Sequence, residues 1–171
     1  MVGKDKAISM VIDLGSERTN FFIIDQGLPL THRSIQTGGK NIDQILSKSL
    51  GCDLSHAQQI KLDISRLKPE EFDEKIFKPV TNEIIKEIEY GFDLYLKQTG
   101  NEGKKAEKII LTGGTALFSP IMNEIKKNVS QRVFVGDPWA RVVYQQGLRP
   151  ILDEVGSSMS VCIGLAMRNL V

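Results

Sequence analysis

The chain has 171 residues, 41% of them hydrophobic and 25% charged, with 22 basic against 21 acidic side chains and a net charge of +1. A chain of this size makes about one domain with a core that needs no staple, and the balanced charge excludes an electrostatic commitment to nucleic acid. Cys52 and Cys162 stand alone, without a CxxC spacing and with only His32 and His56 as nitrogen ligands, so a zinc site or a disulfide framework is not expected and a reducing compartment is. The N-terminal lysines precede no signal-type apolar core, and no run approaches the roughly 20 apolar residues of a membrane span. Neither export nor membrane insertion is expected.

In chain order, Ile8, Met10, Val11 and Ile12 form a β-branched run that ends at Asp13-Leu14-Gly15 and reads as a mostly buried strand. Ser16-Glu17-Arg18 is the turn into a second strand, Thr19 to Ile24. Gln26-Gly27 marks a second tight turn and Leu30 to Gln36 a third strand, so the three are expected to be antiparallel neighbours. Gly38-Gly39 stops the sheet, and Ile42, Ile45 and Leu46 then recur at helical spacing. Ser55 is read as the cap of a second helix, and Pro69-Glu70-Glu71 as the start of a third. Phe72, Ile76, Val80, Ile84, Ile88 and Phe92 carry one continuous apolar face, with Pro79 expected to kink that helix or begin a new one. The helix is expected to end near Thr99-Gly100, followed by a solvated loop to Lys105.

Lys108 to Thr112 reads as a strand, Gly113-Gly114 as a turn, and Ser119-Pro120 as the cap and first residue of another helix. Arg132 to Val135 makes a further short strand, Arg141 to Glu154 is expected to be helical in part, and Ser157 or Ser158 is read as the cap of a final helix. A strand, a glycine turn and a helix in succession indicate the α/β class.

Asp13 and Gly15 with Thr19 are the first candidate site. A strand ending in a carboxylate before a glycine turn can aim backbone N–H groups at an anion while Asp13 holds Mg²⁺ or a water, and Thr19 can add a hydroxyl; the alternative is a hairpin with a polar tip. Gly113 and Gly114, followed by Thr115, are the second. Two glycines between strand and helix let a phosphate or flat ligand approach the backbone at a helix N-terminus, or simply close a β-to-α turn. The absence of a following Lys-Ser or Lys-Thr and of GxGxxG disfavours the P-loop and dinucleotide folds. Gly38, Gly39 and, some twenty residues on, Lys61 are the third, with a solvated helix lysine as the alternative. Glu83, Lys86, Glu87 and Glu89 read as a solvated face, and His32 and His56 as structural or exposed residues.

Taken in order, VIDLGSERTNFFIID, TGGKNIDQILSKSLGCDLSHAQQIK, IILTGGTALFSPIMNEI, VGDPWARV and VCIGLAMRNL resemble the actin-like ATPase superfamily, and within it the PilM family of type IV pilus assembly proteins, related to the cell-division protein FtsA. The resemblance runs from Ile8 to Leu170 and covers the second half of the family pattern. It implies a ribonuclease H-like lobe with a mixed sheet, an antiparallel three-stranded meander, flanking helices and a mainly helical outer subdomain. The inner subdomain would be 7–37 and 106–156, the outer one 38–105, and 157–171 a helix that crosses to the first lobe.

By the same resemblance Asp13, Gly15, Ser16 and Thr19 belong to the second phosphate hairpin, with Asp13 at the metal. Gly39 and Lys61 belong to the nucleotide-side helices, and Gly113, Gly114 and Thr115 to the adenosine motif. ATP and Mg²⁺ are the implied cofactors, and a PilN-like inner-membrane protein is the implied partner of the intact protein, which would be cytoplasmic and peripheral to the membrane. Gln58 stands where the family carries a glutamate, and Tyr90-Gly91 where a basic residue and a serine are usual. With one phosphate hairpin of two, weak or absent nucleotide binding and no turnover are expected. The final helix, with Val161, Gly164, Leu165 and Arg168 on one side, is expected either to dimerise or to dock on its own core. An FtsA-like filament protein and an interaction domain that has lost ATP binding are the alternatives.

Overall fold

A computed structural model describes residues 7–65 and 73–168. Three strands, β1 (Ile8–Leu14), β2 (Thr19–Asp25) and β3 (Leu28–Ile35), form the expected antiparallel meander. The β2–β3 connection is a two-residue turn in which Gln26 and Gly27 both take positive φ (53° and 83°), as a primed hairpin turn requires. The next strands, β4 (Ala106–Thr112) and β5 (Arg132–Val135), add in parallel on the other side of β1, giving the order β3-β2-β1-β4-β5. Between β3 and β4 lie α1 (Gly39–Leu50), α2 (Leu54–Ile64) and α3 (Lys78–Leu96). Helix α4 (Ser119–Asn128) joins β4 to β5, and α5 (Arg149–Ala166) follows two short 3-10 turns.

Alternation along the strands decides which face is buried. Met10, Ile12 and Leu14 of β1, Phe21 and Ile23 of β2, and Ile109 and Leu111 of β4 point to one face. Ile84, Ile88 and Phe92 of α3 and Ile121 and Ile125 of α4 cover it. Ile42, Leu46 and Ala57 extend the same core under α1 and α2. The opposite face is covered in part by α5, through Ser157 and Ser160 over Thr112.

Several element boundaries depart from the sequence reading. Asp53, not Ser55, caps α2, its carboxylate accepting from the His56 N–H at 2.9 Å. Phe118 occupies the cap position of α4, and Ser119 is already helical. The proposed start at Pro69-Glu70-Glu71, and Phe72, lie outside the described residues. A 3-10 turn at Glu74–Phe77 leads into α3, which begins afresh around Pro79 and ends at Leu96, before Thr99-Gly100. The final helix starts at Arg149, so Ser157 and Ser158 lie within α5 and cap nothing. Finally, Glu83 and Glu87 are not merely solvated: Glu87 pairs with Arg33 of β3 and Glu83 accepts from Thr37, tying α3 to the sheet's end.

Candidate functional site

The three glycine turns singled out in the sequence meet at one end of the sheet, at the C-terminal ends of β1 and β4. The carbonyl of Gly15 is their common acceptor. It receives the Gly39 N–H at 3.0 Å and the Thr115 hydroxyl at 3.1 Å, while the Lys40 N–H donates to the Ser16 carbonyl at 2.8 Å. The Thr115 N–H donates to the Leu14 carbonyl at 3.0 Å. The turn after β1 is thus held from one side by the start of α1 and from the other by the turn after β4.

Glycine is required here by backbone contact. A Cβ at Gly38 would lie 2.6 Å from the Ser16 carbonyl oxygen, and one at Gly113 would lie 2.5 Å from both the Leu14 carbonyl oxygen and an Asp13 carboxylate oxygen. Gly113 also has φ +91°, a conformation L side chains rarely adopt. Its N–H donates at 2.9 Å to the Ser157 carbonyl of α5, and the Thr112 hydroxyl donates to Ser160 Oγ at 2.6 Å. Gly114 differs from its neighbour: it is exposed, and the nearest atom to an added Cβ is Ser158 Cβ at 3.9 Å.

The candidate residues therefore divide by accessibility. Asp13 and Gly15 are half-buried, and Ser16 and Gly114 are exposed. Thr19 is fully buried, with its hydroxyl committed to the Thr37 carbonyl at 2.7 Å, so the expected free hydroxyl is instead a tie between β2 and the start of α1. Gly39 and Thr115 are buried as well, and Thr115 spends its hydroxyl on Gly15.

Lys61 reaches the group from α2 and is not the solvated helix lysine of the alternative reading. Its ammonium lies 3.3 Å from the Gly39 carbonyl and 2.5 Å from Asp43 of α1, whose side chain is 5% exposed. Asp43 was not visible as a site residue in the sequence, because the pairing joins two helices that only the tertiary contact of α1 with α2 brings together. Gln58 lies exposed one turn before Lys61. Among the described residues no group of three or more His, Cys, Asp or Glu is placed to hold a metal ion. His32 stacks on Phe22 at 4.7 Å and His56 pairs with Asp53, and neither approaches this site.

A mixed five-stranded sheet of this order, flanked by helices and with its glycine turns gathered beside the strand ends, defines an actin-like lobe. Solved structures share that fold. A PilM–PilN type IV pilus biogenesis complex matches with TM-score 0.80 and 21% identity over 98% of this chain and 47% of that one. The ethanolamine utilization protein EutJ from Carboxydothermus hydrogenoformans matches with TM-score 0.58 and 20% identity over 95% and 50%. MreB5 of Spiroplasma citri bound to AMPPNP matches with TM-score 0.62 and 17% identity over 95% and 52%. The chain spans about half the length of each. It belongs to the family of type IV pilus assembly protein PilM, whose sequence model matches residues 2–170.

Proposed function

We propose that this chain is the nucleotide-facing half of a PilM-like actin-fold protein that supports type IV pilus assembly. In this reading it binds ATP and Mg²⁺ weakly alone and does not turn ATP over. The observation that carries the reading is the convergence of the turns at Asp13 to Ser16, Gly38-Gly39 and Gly113 to Thr115 on the Gly15 carbonyl.

The residues present fit a nucleotide. Gly114 leaves open surface for a flat base, Asp13 stands beside Gly113 as the carboxylate for Mg²⁺ or its water, and the exposed Ser16 offers the turn to phosphate, while Gly15, whose N–H donates to the Arg18 carbonyl at 3.0 Å, shapes it. Lys61 adds positive charge, moderated by Asp43. ATP would supply the triphosphate and the metal its charge. Thr19, Gly39 and Thr115 would act as framework beneath it. The fold neighbour described as a PilM–PilN complex supports a PilN-like partner of the intact protein; in this reading that partner is an inner-membrane protein and the intact protein lies on its cytoplasmic side. No helix among the described residues is long and apolar enough to cross a membrane.

A second reading, an interaction domain that keeps the scaffold without ATP, is favoured by one observation: the ion pair that already occupies Lys61. Calorimetric titration of Mg-ATP separates the two. The first predicts millimolar or tighter binding to the 171-residue chain that is abolished by Gly114→Val and weakened by Asp13→Ala. Gly114→Val is a clean probe because the added Cβ meets nothing closer than 3.9 Å, so lost heat reads the site and not the fold. Absence of heat from the unaltered chain at any concentration supports the second reading.

A further inference from the structure

Beside the Gly38-Gly39 turn, between one flank of α1 and the start of α3, lies a cavity of about 240 Å³. Helical spacing builds both of its walls. Asn41, Gln44, Ile45 and Lys48 recur at three and four residues along α1, next to Ile42 and Leu46, which enter the core. Pro79, Val80 and Glu83 repeat that spacing on α3, and Thr37 stands between the two helices. The apolar part of the lining is Ile45, Pro79 and Val80, of which Val80 is 3% exposed.

The polar part carries two opposite charges that do not pair with each other. The Lys48 ammonium has no hydrogen bond or ion pair among the described residues. The Glu83 carboxylate accepts from the uncharged Thr37 hydroxyl and, among the described residues, meets no cation. Asn41 uses its side-chain oxygen to accept from the Gly38 N–H at 2.9 Å, which leaves its amide NH₂ free to donate into the cavity. A single ion of either sign would be attracted by one wall and repelled by the other, whereas a zwitterion is attracted by both. The volume sets the size of the occupant. At roughly 30 Å³ for each water it exceeds a water site, and it falls below the roughly 300 to 1,000 Å³ of sites for drug-sized ligands. A nucleotide or a folded segment is too large, and a free amino acid fits.

We propose that this cavity binds a small apolar α-amino acid as its zwitterion. The carboxylate rests on Lys48 and the Asn41 amide, the ammonium on Glu83, and the side chain on Ile45, Pro79 and Val80. The site is separate from the candidate nucleotide residues and stands whether or not those bind ATP. It adjoins them through residues that shape the Gly38 turn: the Asn41 N–H donates to the Gly38 carbonyl at 3.0 Å, and the Thr37 carbonyl accepts from the Thr19 hydroxyl at 2.7 Å.

Titration of L-valine into the ¹⁵N-labelled chain, followed by amide chemical shifts, tests the proposal. Saturable shifts are expected at Thr37, Asn41, Gln44 and Lys48, with a millimolar Kd because exposed charge pairs contribute little in water. Lys48→Gln and Glu83→Gln each remove one charge and keep a hydrogen-bonding side chain, and the same spectra show that the fold is retained. Each is expected to raise Kd about threefold, the scale of an exposed ion pair. Isobutyrate and isobutylamine, which carry the same apolar group with one charge apiece, are expected to bind more weakly than L-valine. The proposal is overturned by no saturable shift up to the solubility limit of L-valine, or by unchanged affinity in either charge-removed chain. Equal affinity for isobutyrate or isobutylamine would overturn it in favour of a simple anion or cation site.

Discussion

Gly113 and Gly114 are adjacent, identical in type and opposite in role. Gly113 sits at φ +91° with its missing Cβ aimed at the Leu14 carbonyl, so Gly113→Ala must shift the β1 end or the turn. The expected cost is about 2 kcal/mol or more, from left-handed strain added to a backbone clash, read as a lower denaturant midpoint. Gly114→Ala, in open space, should move that midpoint by less than about 0.5 kcal/mol. The sequence pointed to both glycines as a close approach of backbone to something. What it could not show is that the thing approached by Gly113 is the protein's own β1. Thr19 is a similar case: a hydroxyl beside a phosphate-type turn looks available in sequence, whereas burial commits it to Thr37.

Individual elements were readable where their own residues carry the signal. The meander followed from apolar runs and tight turns, and α3 from its apolar face. The start of α5 was misread for a physical reason. Gly156-Ser157-Ser158 has the look of a helix boundary, but a Cβ at 156 would lie 2.7 Å from Trp139 Nε1, so the glycine serves packing against the 3-10 turn at Pro138–Arg141 inside a continuous helix. The Trp139 indole N–H also donates to the Leu152 carbonyl at 2.7 Å, a tertiary contact no local pattern reports.

The junction of β2, α3 and the loop before β4 yields a pH prediction. Asp25 accepts from the Tyr95 hydroxyl and from Lys104, each at 2.7 Å. Those contacts, Lys104 first, hold the Asp25 carboxyl below its ordinary pKa. A carboxyl whose folded pKa is depressed contributes stability that is present above the unfolded value, about 3.9, and lost as pH falls through the folded value. Urea melts of the chain and of Asp25→Asn should therefore differ at neutral pH, begin to converge below about pH 3.9 and meet only below the depressed folded value. A constant difference across that range would remove Asp25 from the acid response.

For the molecule as a whole, the imbalance lies in α5. Its inward side packs through Gly156, Ser157 and Ser160, while Ile151, Val155, Val161 and Leu165 remain 41% to 65% exposed. The expectation that this helix docks on its own core therefore holds for one side only. An uncovered apolar face of this extent promotes association, so sedimentation velocity of the chain is expected to show a concentration-dependent shift to dimer. Leu165→Lys with Val155→Lys should reduce that shift without altering the melt. A monomer at every concentration would mean that the face is tolerated bare.

The Gly15 carbonyl binds donors 24 and 100 positions further along the chain, at Gly39 and Thr115. A hairpin tip normally forms early, from residues close in sequence, and frays on its own. This one cannot reach its final shape until β4 has crossed over to pair with β1, so the local turn inherits the slow, long-range step of folding. Once formed, it cannot fray alone. The Gly39 amide is accordingly expected to exchange its hydrogen at the rate of the central strands, as part of the same cooperative unit, and not at the rate of a surface turn.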